Sequence, residues 1–408
     1  MRILLLTSSN SVGGAAIACG RLMKALQSQN IDVCLLSGES LGNKTSKRFR
    51  FVWERISIFI RNGLSRKNLF KVSIANTGYD VTALDCFQDA DIIHLHWIQH
   101  GFISMNILDK ILHCGKPVVW TLHDMWPFTG ICHYAFSCRN YCSGCGSCIY
   151  LKSNCRRDVS AKIFDRKLSE YSDADLHFVS VSNWLARKAA ESPLLTGSQL
   201  SVIPNTISLQ EFRLIEKTQA QLSLNLSESK QYIVFGASYI DNYQKGFDLL
   251  VSALDLLSAK ADNICLLLFG SVKDISLLDK IPVDYIYYGA IDDNEKLSLI
   301  YSAANVTVSS SYYETFGQTL IESLACGCIP VSFGNSGQTD IIRHKENGYL
   351  AEYLSCESLA AGISWALEQK PDKTKLREDV LSRFGYEVVA KQYIDIYNKC
   401  LNKKLYII

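Results

Sequence analysis

The 408-residue chain has no apolar run near the ~18 residues that a membrane-crossing helix needs. Its opening, Met1-Arg2-Ile3-Leu4-Leu5-Leu6-Thr7, holds too short an apolar stretch for an export signal and reads as a buried first strand. These two absences predict a cytoplasmic location. Proline is scarce at 7, and neither a low-complexity linker nor a repeat of roughly 20–50 residues is present, which excludes a solenoid or a flexible Pro-rich chain. The net charge of +2 gives no reason to expect nucleic acid as a partner. Gly13-Gly14 followed by Gly20 does not make G-x-G-x-x-G, which disfavours a nicotinamide dehydrogenase. In the second half, no Asp-x-Asp stands ahead of Glu314, so a catalytic Mg²⁺ or Mn²⁺ is not expected. The composition that remains, 48% hydrophobic and 20% charged, is that of a globular protein, and its length suits two domains of roughly 200 residues each.

Short, continuously apolar runs alternate with helical periodicity. In the first half the predicted strands are 2–6, 33–36, 92–95, 118–122 and 178–181, with a helix over 15–27. The pattern restarts after Val202-Ile203-Pro204-Asn205, with strands at 233–235, 265–269, 285–288, 306–309 and 329–332 and a helix over 247–257. Fully apolar strands separated by helices indicate parallel sheets covered on both faces. The fold class is therefore α/β, with two Rossmann-like, doubly wound domains meeting near 203–210. Residues 1–205 would form the first domain, with a Cys-rich insert at 132–155, and 206–384 the second. An amphipathic C-terminal helix over 385–408 follows; Val388, Val389, Tyr393, Ile396 and Tyr397 share one face, and crossing back to the first domain is open to it.

The most informative segment is Tyr312-Tyr313-Glu314-Thr315-Phe316-Gly317-Gln318-Thr319-Leu320-Ile321-Glu322, which follows a strand and opens a short helix. The first amides of a helix are unpaired and carry partial positive charge. With no Cβ at Gly317, a phosphate can approach the amides of Gly317, Gln318 and Thr319. Glu322 is suited to accept from ribose hydroxyls and Glu314 to hold a sugar hydroxyl. A plain helix with carboxylates near its positive end explains the same spacing.

The ordered motifs decide between these readings. Glu314-x7-Glu322 with Phe316-Gly317, Val202-Ile203-Pro204-Asn205, Gln244-Lys245-Gly246-Phe247-Asp248, Gly327-Cys328-Ile329-Pro330 and Asn347-Gly348-Tyr349 together resemble the GT-B glycosyltransferases of retaining family 4. That family includes many bacterial enzymes of polysaccharide synthesis. Gly13-Gly14 and Thr121-Leu122-His123-Asp124 also fit. The resemblance implies two domains facing an interdomain cleft. It implies transfer of a hexose-type sugar from a UDP- or GDP-sugar to a saccharide or lipid-linked saccharide, in exopolysaccharide, capsule or O-antigen synthesis. Lys245 would bind the donor diphosphate, with Phe316 in the donor segment. Gly13 and Gly14 would approach phosphate or acceptor. His123 would contact the transferred sugar through its backbone or by orienting a hydroxyl. The family's usual arginine, seven residues before the lysine, is Ser238 here, which leaves the second cation unassigned. His94 and His96 end another strand without a specific role. The competing readings are a nucleotide-sugar epimerase on the same fold and a non-catalytic subunit.

Two further segments stand out. Six of the fifteen cysteines fall within 132–155, and Cys138, Cys142, Cys145 and Cys148 suit a structural zinc, with free thiols or disulfides as the alternative. Single cysteines such as Cys34, Cys265, Cys326 and Cys328 read as small core residues. Between Lys44 and Lys71 nine basic residues interleave with Phe51, Trp53, Ile56, Phe59 and Ile60. This segment predicts either peripheral contact with an anionic membrane or a solvated helix over the sheet.

Overall fold

The computed structural model describes residues 1–10, 13–152, 155–258 and 263–405. It divides into two compact units, Met1–Pro204 with Val389–Ile408, and Asn205–Val388.

In the first unit, β1 (Arg2–Thr7), α1 (Gly14–Ser28), β2 (Asp32–Ser37), α2 (Lys44–Arg61), α3 (Asp85–Gln88), β3 (Ile92–Leu95), α4 (Met105–Leu112) and β4 (Val118–Leu122) are followed by α5 (Val159–Ser172), β5 (Leu176–Ser180), α6 (Asn183–Ala190) and β6 (Gln199–Val202). The sheet is parallel in the order β2-β1-β3-β4-β5-β6. β3, β4 and β5 are buried at every position, because helices cover both faces. Side-chain caps start the helices where the sequence supplies them: Asn43 for α2, Ser104 for α4, Asp158 for α5 and Ser182 for α6.

The second unit repeats the plan with α7 (Lys217–Ser223), β7 (Gln231–Tyr239), α8 (Phe247–Ser258), β8 (Ile264–Ser271), β9 (Asp284–Tyr287), α9 (Asn294–Ala303), β10 (Val306–Ser309), α10 (Gln318–Ala325), β11 (Ile329–Phe333), β12 (Tyr349–Ala351), α11 (Cys356–Glu368) and α12 (Lys373–Phe384). Its sheet is again parallel, ordered β12-β11-β10-β7-β8-β9. Ile233, Phe235, Leu250, Leu254, Leu266, Leu268, Val308 and Val331 lie in one core cluster between sheet and helices. The last helix, α13 (Tyr386–Leu405), belongs to the first unit from Val389 onward. It buries Val389, Ala390, Tyr393, Ile396, Tyr397 and Cys400.

Two strands were not predicted: β6 is a sheet edge of alternating Gln-Leu-Ser-Val without a buried position, and β12, Tyr-Leu-Ala, is only three residues long. Cys265, Cys326 and Cys328 are core residues as expected, whereas Cys34 is only half-buried.

Arg377 in α12 ties three segments of the second unit. Its guanidinium donates to the carbonyls of Leu209, Phe212 and Ala325, each at 2.6 Å, and Ala325 is the last residue of α10. Replacing Arg377 by Met keeps the apolar stem but leaves those carbonyls without the charged donor. A loss of roughly 2–3 kcal/mol is expected; an unchanged urea midpoint for R377M would refute this role.

Candidate functional site

The strand order of the second unit reverses between β7 and β10: β8 and β9 continue to one side, β11 and β12 to the other. Loops leaving the carboxyl ends of such a pair diverge and open a crevice, where open α/β sheets bind ligands. Both loops here carry predicted site residues. The chain leaving β7 makes a short turn at Tyr243–Lys245, capped by the Asn242 side chain, and Gly246 follows with φ 62°. A Cβ on Gly246 would stand 1.9 Å from the Ser310 carbonyl oxygen, so only glycine allows this approach. Ser310 Oγ donates to the Gly246 carbonyl at 2.7 Å, and Tyr312 N–H donates to the Gln244 carbonyl at 2.9 Å. These contacts bring Lys245 Nζ to 2.7 Å from Glu314 Oε2. The two residues that the sequence assigned separately, one to diphosphate and one to sugar, form an ion pair.

The loop after β10 is held from its other side as well. Glu314 N–H donates to Ser336 Oγ at 3.0 Å, and Gly337 N–H donates to the Glu314 carbonyl at 2.7 Å. Asn335 Nδ2 donates to the Tyr312 carbonyl at 2.9 Å. The Ser336-Gly337 turn was not picked out from the sequence, because a brace of this kind leaves no spacing pattern. Gly317, at φ 114°, is the N-cap of α10 and has no side chain to cover the first amides. Gln318 and Thr319 are half-buried there, while Ser238 is exposed at the carboxyl end of β7. Two residues of the segment sit deeper than the sequence suggested. The Phe316 ring is buried and meets Phe384 edge-on at 5.7 Å, so it anchors the loop in the core instead of facing a donor. Glu322 is also buried and accepts from the Tyr301 hydroxyl at 3.2 Å. Burial, and then the Glu322 charge, raise the Tyr301 hydroxyl well above its ordinary pKa.

In the first unit the order reverses between β1 and β3. Gly13, at φ 95°, is the N-cap of α1 on the β1 side, with Gly14 opening the helix. At the ends of β3 and β4 three imidazoles form a row. His94 and His96 have centroids 4.4 Å apart, and His96 Nδ1 lies 2.9 Å from His123 Nε2. His94 is held by the Tyr397 hydroxyl at 2.7 Å and Thr121 Oγ1 at 2.8 Å. Burial lowers His94 to about 3 and His123 to about 4, so the row is neutral near pH 7. Asp124, beside it, accepts from Trp97 Nε1 at 2.6 Å and pairs with His133 Nδ1 at 2.6 Å. Burial pushes the Asp124 carboxyl up, but His133 and these donors hold it below its usual value. His133 Nε2 reaches Ser73 Oγ at 3.0 Å. Ser73 is fully buried, so this Ser-His-Asp chain is a brace and not a nucleophile.

The remaining predicted features change on inspection. Of the zinc set, Cys142 turns away and contacts Glu191 Oε2 at 3.6 Å. Cys138, Cys145 and Cys148 line one small cavity with Cys132 instead. Among the described residues, no group of three or more His, Cys, Asp and Glu side chains already stands close enough to hold a metal ion. In the basic segment, Arg55 is buried, paired with Glu54 at 2.9 Å and bonded to the Val72 carbonyl, so it belongs to the interior. Lys44, Arg48, Arg61, Arg66, Lys67 and Lys71 are exposed. So are Phe49, Trp53, Ile56 and Ile60, which recur at helical spacing along α2.

Two doubly wound parallel sheets in one chain are the architecture of the GT-B type, and the family models give the class as glycosyltransferase. Residues 12–211 match the family described as Glycosyltransferase Family 4, and residues 217–382 match Glycosyl transferases group 1. The chain belongs to this family. It is 23% identical over 367 residues to an uncharacterised glycosyltransferase from Methanocaldococcus jannaschii, covering 83% of this chain and 92% of that protein. Among solved structures, sucrose-phosphate synthase from Thermosynechococcus elongatus superposes with a TM-score of 0.67 at 19% identity, over 99% of this chain and 100% of that one. HepE from Anabaena, solved in complex with UDP and glucose, gives 0.62 at 15% identity, over 98% and 100%.

The neutral histidines make a pH prediction. Their pKa values lie below the unfolded value of about 6.5, so the unfolded chain takes up protons first as pH falls. Their stabilising contribution is present above about 6.5 and is lost on descent toward about 4. The melting temperature should drop between pH 7 and pH 5, and His94→Gln should shrink that drop. An identical drop in the variant would rule it out. The depressed Asp124 acts in the same sense, but below its unfolded value of about 3.9.

Proposed function

We propose that the protein transfers a hexose-type sugar from a UDP- or GDP-sugar to a saccharide or lipid-linked saccharide, with retention of anomeric configuration. The observation that carries this reading is the Lys245–Glu314 pair, fixed at the β7/β10 switch point beside the glycine-capped N-terminus of α10. A diphosphate arriving at the amides of Gly317, Gln318 and Thr319 would compete with Glu314 for the Lys245 ammonium. The released Glu314 carboxylate is then available to a sugar hydroxyl. As the bond from the anomeric carbon to the diphosphate breaks, Lys245 and the helix amides stabilise the charge growing on the leaving oxygen. The acceptor oxygen bonds to the anomeric carbon from the same face, and its proton passes to the leaving phosphate oxygen. The transition state resembles an oxocarbenium ion, and the protein contributes positioning and charge without a catalytic metal. His123 is assigned to the transferred sugar; its Nε2 is engaged by His96, which leaves Nδ1 and the backbone for that task. Glu322, for which a ribose contact is proposed, is buried and would approach the ribose only by sharing its carboxylate with Tyr301. HepE, solved with UDP and glucose, supports a uridine nucleotide as the first donor to test.

A membrane-borne acceptor is favoured by α2. Its exposed Phe49, Trp53, Ile56 and Ile60 lie among exposed basic residues, which suits the anionic inner face of a plasma membrane. No helix among the described residues is long and apolar enough to cross a membrane. An acceptor in polysaccharide, capsule or O-antigen synthesis fits that placement.

Two measurements test these readings. A thermal-shift panel of UDP-, GDP-, ADP- and CMP-sugars should single out one donor. Lys245→Ala should then cut kcat about 10²–10³-fold, in the range seen when a charge-stabilising donor is removed. Full turnover in K245A, or free sugar exchange without acceptor, would overturn the transferase reading. For the membrane, flotation with vesicles containing phosphatidylglycerol should weaken roughly fivefold per charge for Lys44→Glu and Arg48→Glu, from about 1 kcal/mol per basic residue. Unchanged flotation would remove the membrane contact and leave the transfer reaction untouched.

A further inference from the structure

Between Phe128 and α5 the chain runs for 30 residues, 129–158, without an α-helix or strand among its described residues; a short turn at Asn140–Cys142 is the regular structure there. Connections longer than about 12–15 residues without secondary structure are uncommon in compact domains. This one is not a surface excursion, because Ile131, Cys132, Ala135, Tyr141, Tyr150 and Leu151 are buried. A cross-link is the usual substitute for missing backbone ladders in such a segment.

The side chains supply one. Cys132, Cys138, Cys145 and Cys148 line a single small cavity floored by Tyr141 and Tyr150. The strand-like stretch at Cys132, bridged to Val72, supplies one end, and the turns at Cys145 and Cys148 supply the other. Gly146, at φ 143°, passes so close to the Arg156 carbonyl that a Cβ there would lie 2.1 Å from it, which fixes the Cys145–Cys148 turn. The amide of Gly130 donates to Cys145 Sγ at 3.2 Å, a bond that favours sulfur carrying negative charge. Lys167 Nζ is fully buried and donates to the carbonyls of Trp126 at 2.6 Å and Thr129 at 3.0 Å, which ties α5 to the start of this segment.

We propose that Cys132, Cys138, Cys145 and Cys148 hold one structural zinc ion, with Cys142 and Cys155 outside the set. The thiols do not already stand at ligand spacing. Binding therefore draws them inward about the cavity, with Zn²⁺ gaining four Zn–S bonds and four thiol protons passing to solvent. The ion would lock a segment that is tied through His133 to Asp124, immediately after His123. The inference does not depend on which sugar is transferred, or on whether any is.

The full-length protein, purified without chelator, should contain close to one zinc per chain. Zinc-edge absorption should show four sulfur neighbours at about 2.3 Å. Cys142→Ser and Cys155→Ser should keep the metal, while Cys132→Ser and Cys145→Ser should lose it. Should those last two fail to fold, mercurial titration of the wild-type protein still decides, since zinc release should track modification of four thiols. Metal-free protein with titratable thiols, disulfides among the four, or zinc lost in C142S and kept in C132S would each overturn the proposal.

Discussion

The approach of Gly246 to the Ser310 carbonyl is the constraint on which the second unit's chemistry rests. A parallel sheet delivers β7 and β10 side by side, but it does not by itself bring together the loops that leave them. Here the backbones touch where any side chain would collide, and Ser310 Oγ closes the contact with a hydrogen bond. Lys245 and Glu314 become neighbours as a consequence, although 69 positions separate them in the chain. A site built in this way is preorganised by backbone and not by long, mobile side chains, which is the requirement for stabilising charge without reorganisation during a reaction.

The two switch points differ electrically. The second unit offers a paired cation and carboxylate beside a helix N-terminus capped by glycine. The first offers a row of imidazoles kept neutral by burial, next to a carboxylate already committed to His133 and Trp97. Neutral imidazoles orient hydroxyl groups without adding charge, whereas a diphosphate demands a cation and convergent amides. The two units therefore suit different ligand chemistry.

Much of the fold was legible because buried parallel strands are rich in apolar and β-branched residues. The strands β3, β4, β8, β10 and β11 announce themselves in that way; β6 does not, as an edge without a buried position, and β12 does not because three residues are too few for a pattern. The carboxylates of the donor segment were legible through their spacing. Which side chains they bond was not: the Glu314–Lys245 pair, the Ser336 brace and the Glu322–Tyr301 bond depend on residues far away in the chain. The same reason explains Arg55 and Cys142. Both match their neighbours in type, and only packing reveals that one turns inward and the other turns out of the thiol cavity.

The return of α13 to the first unit has a consequence for biosynthesis. His94 and Thr121 complete their hydrogen bonds with Tyr397 and Tyr393, partners 303 and 272 positions later. The sheet that is translated first therefore waits, with polar groups and an apolar groove unfilled, while the whole of the second unit is made. At ribosomal rates of about 5–20 residues per second that interval lasts tens of seconds. A message cut short before α13 yields a polypeptide that cannot finish either its oldest core or its histidine row.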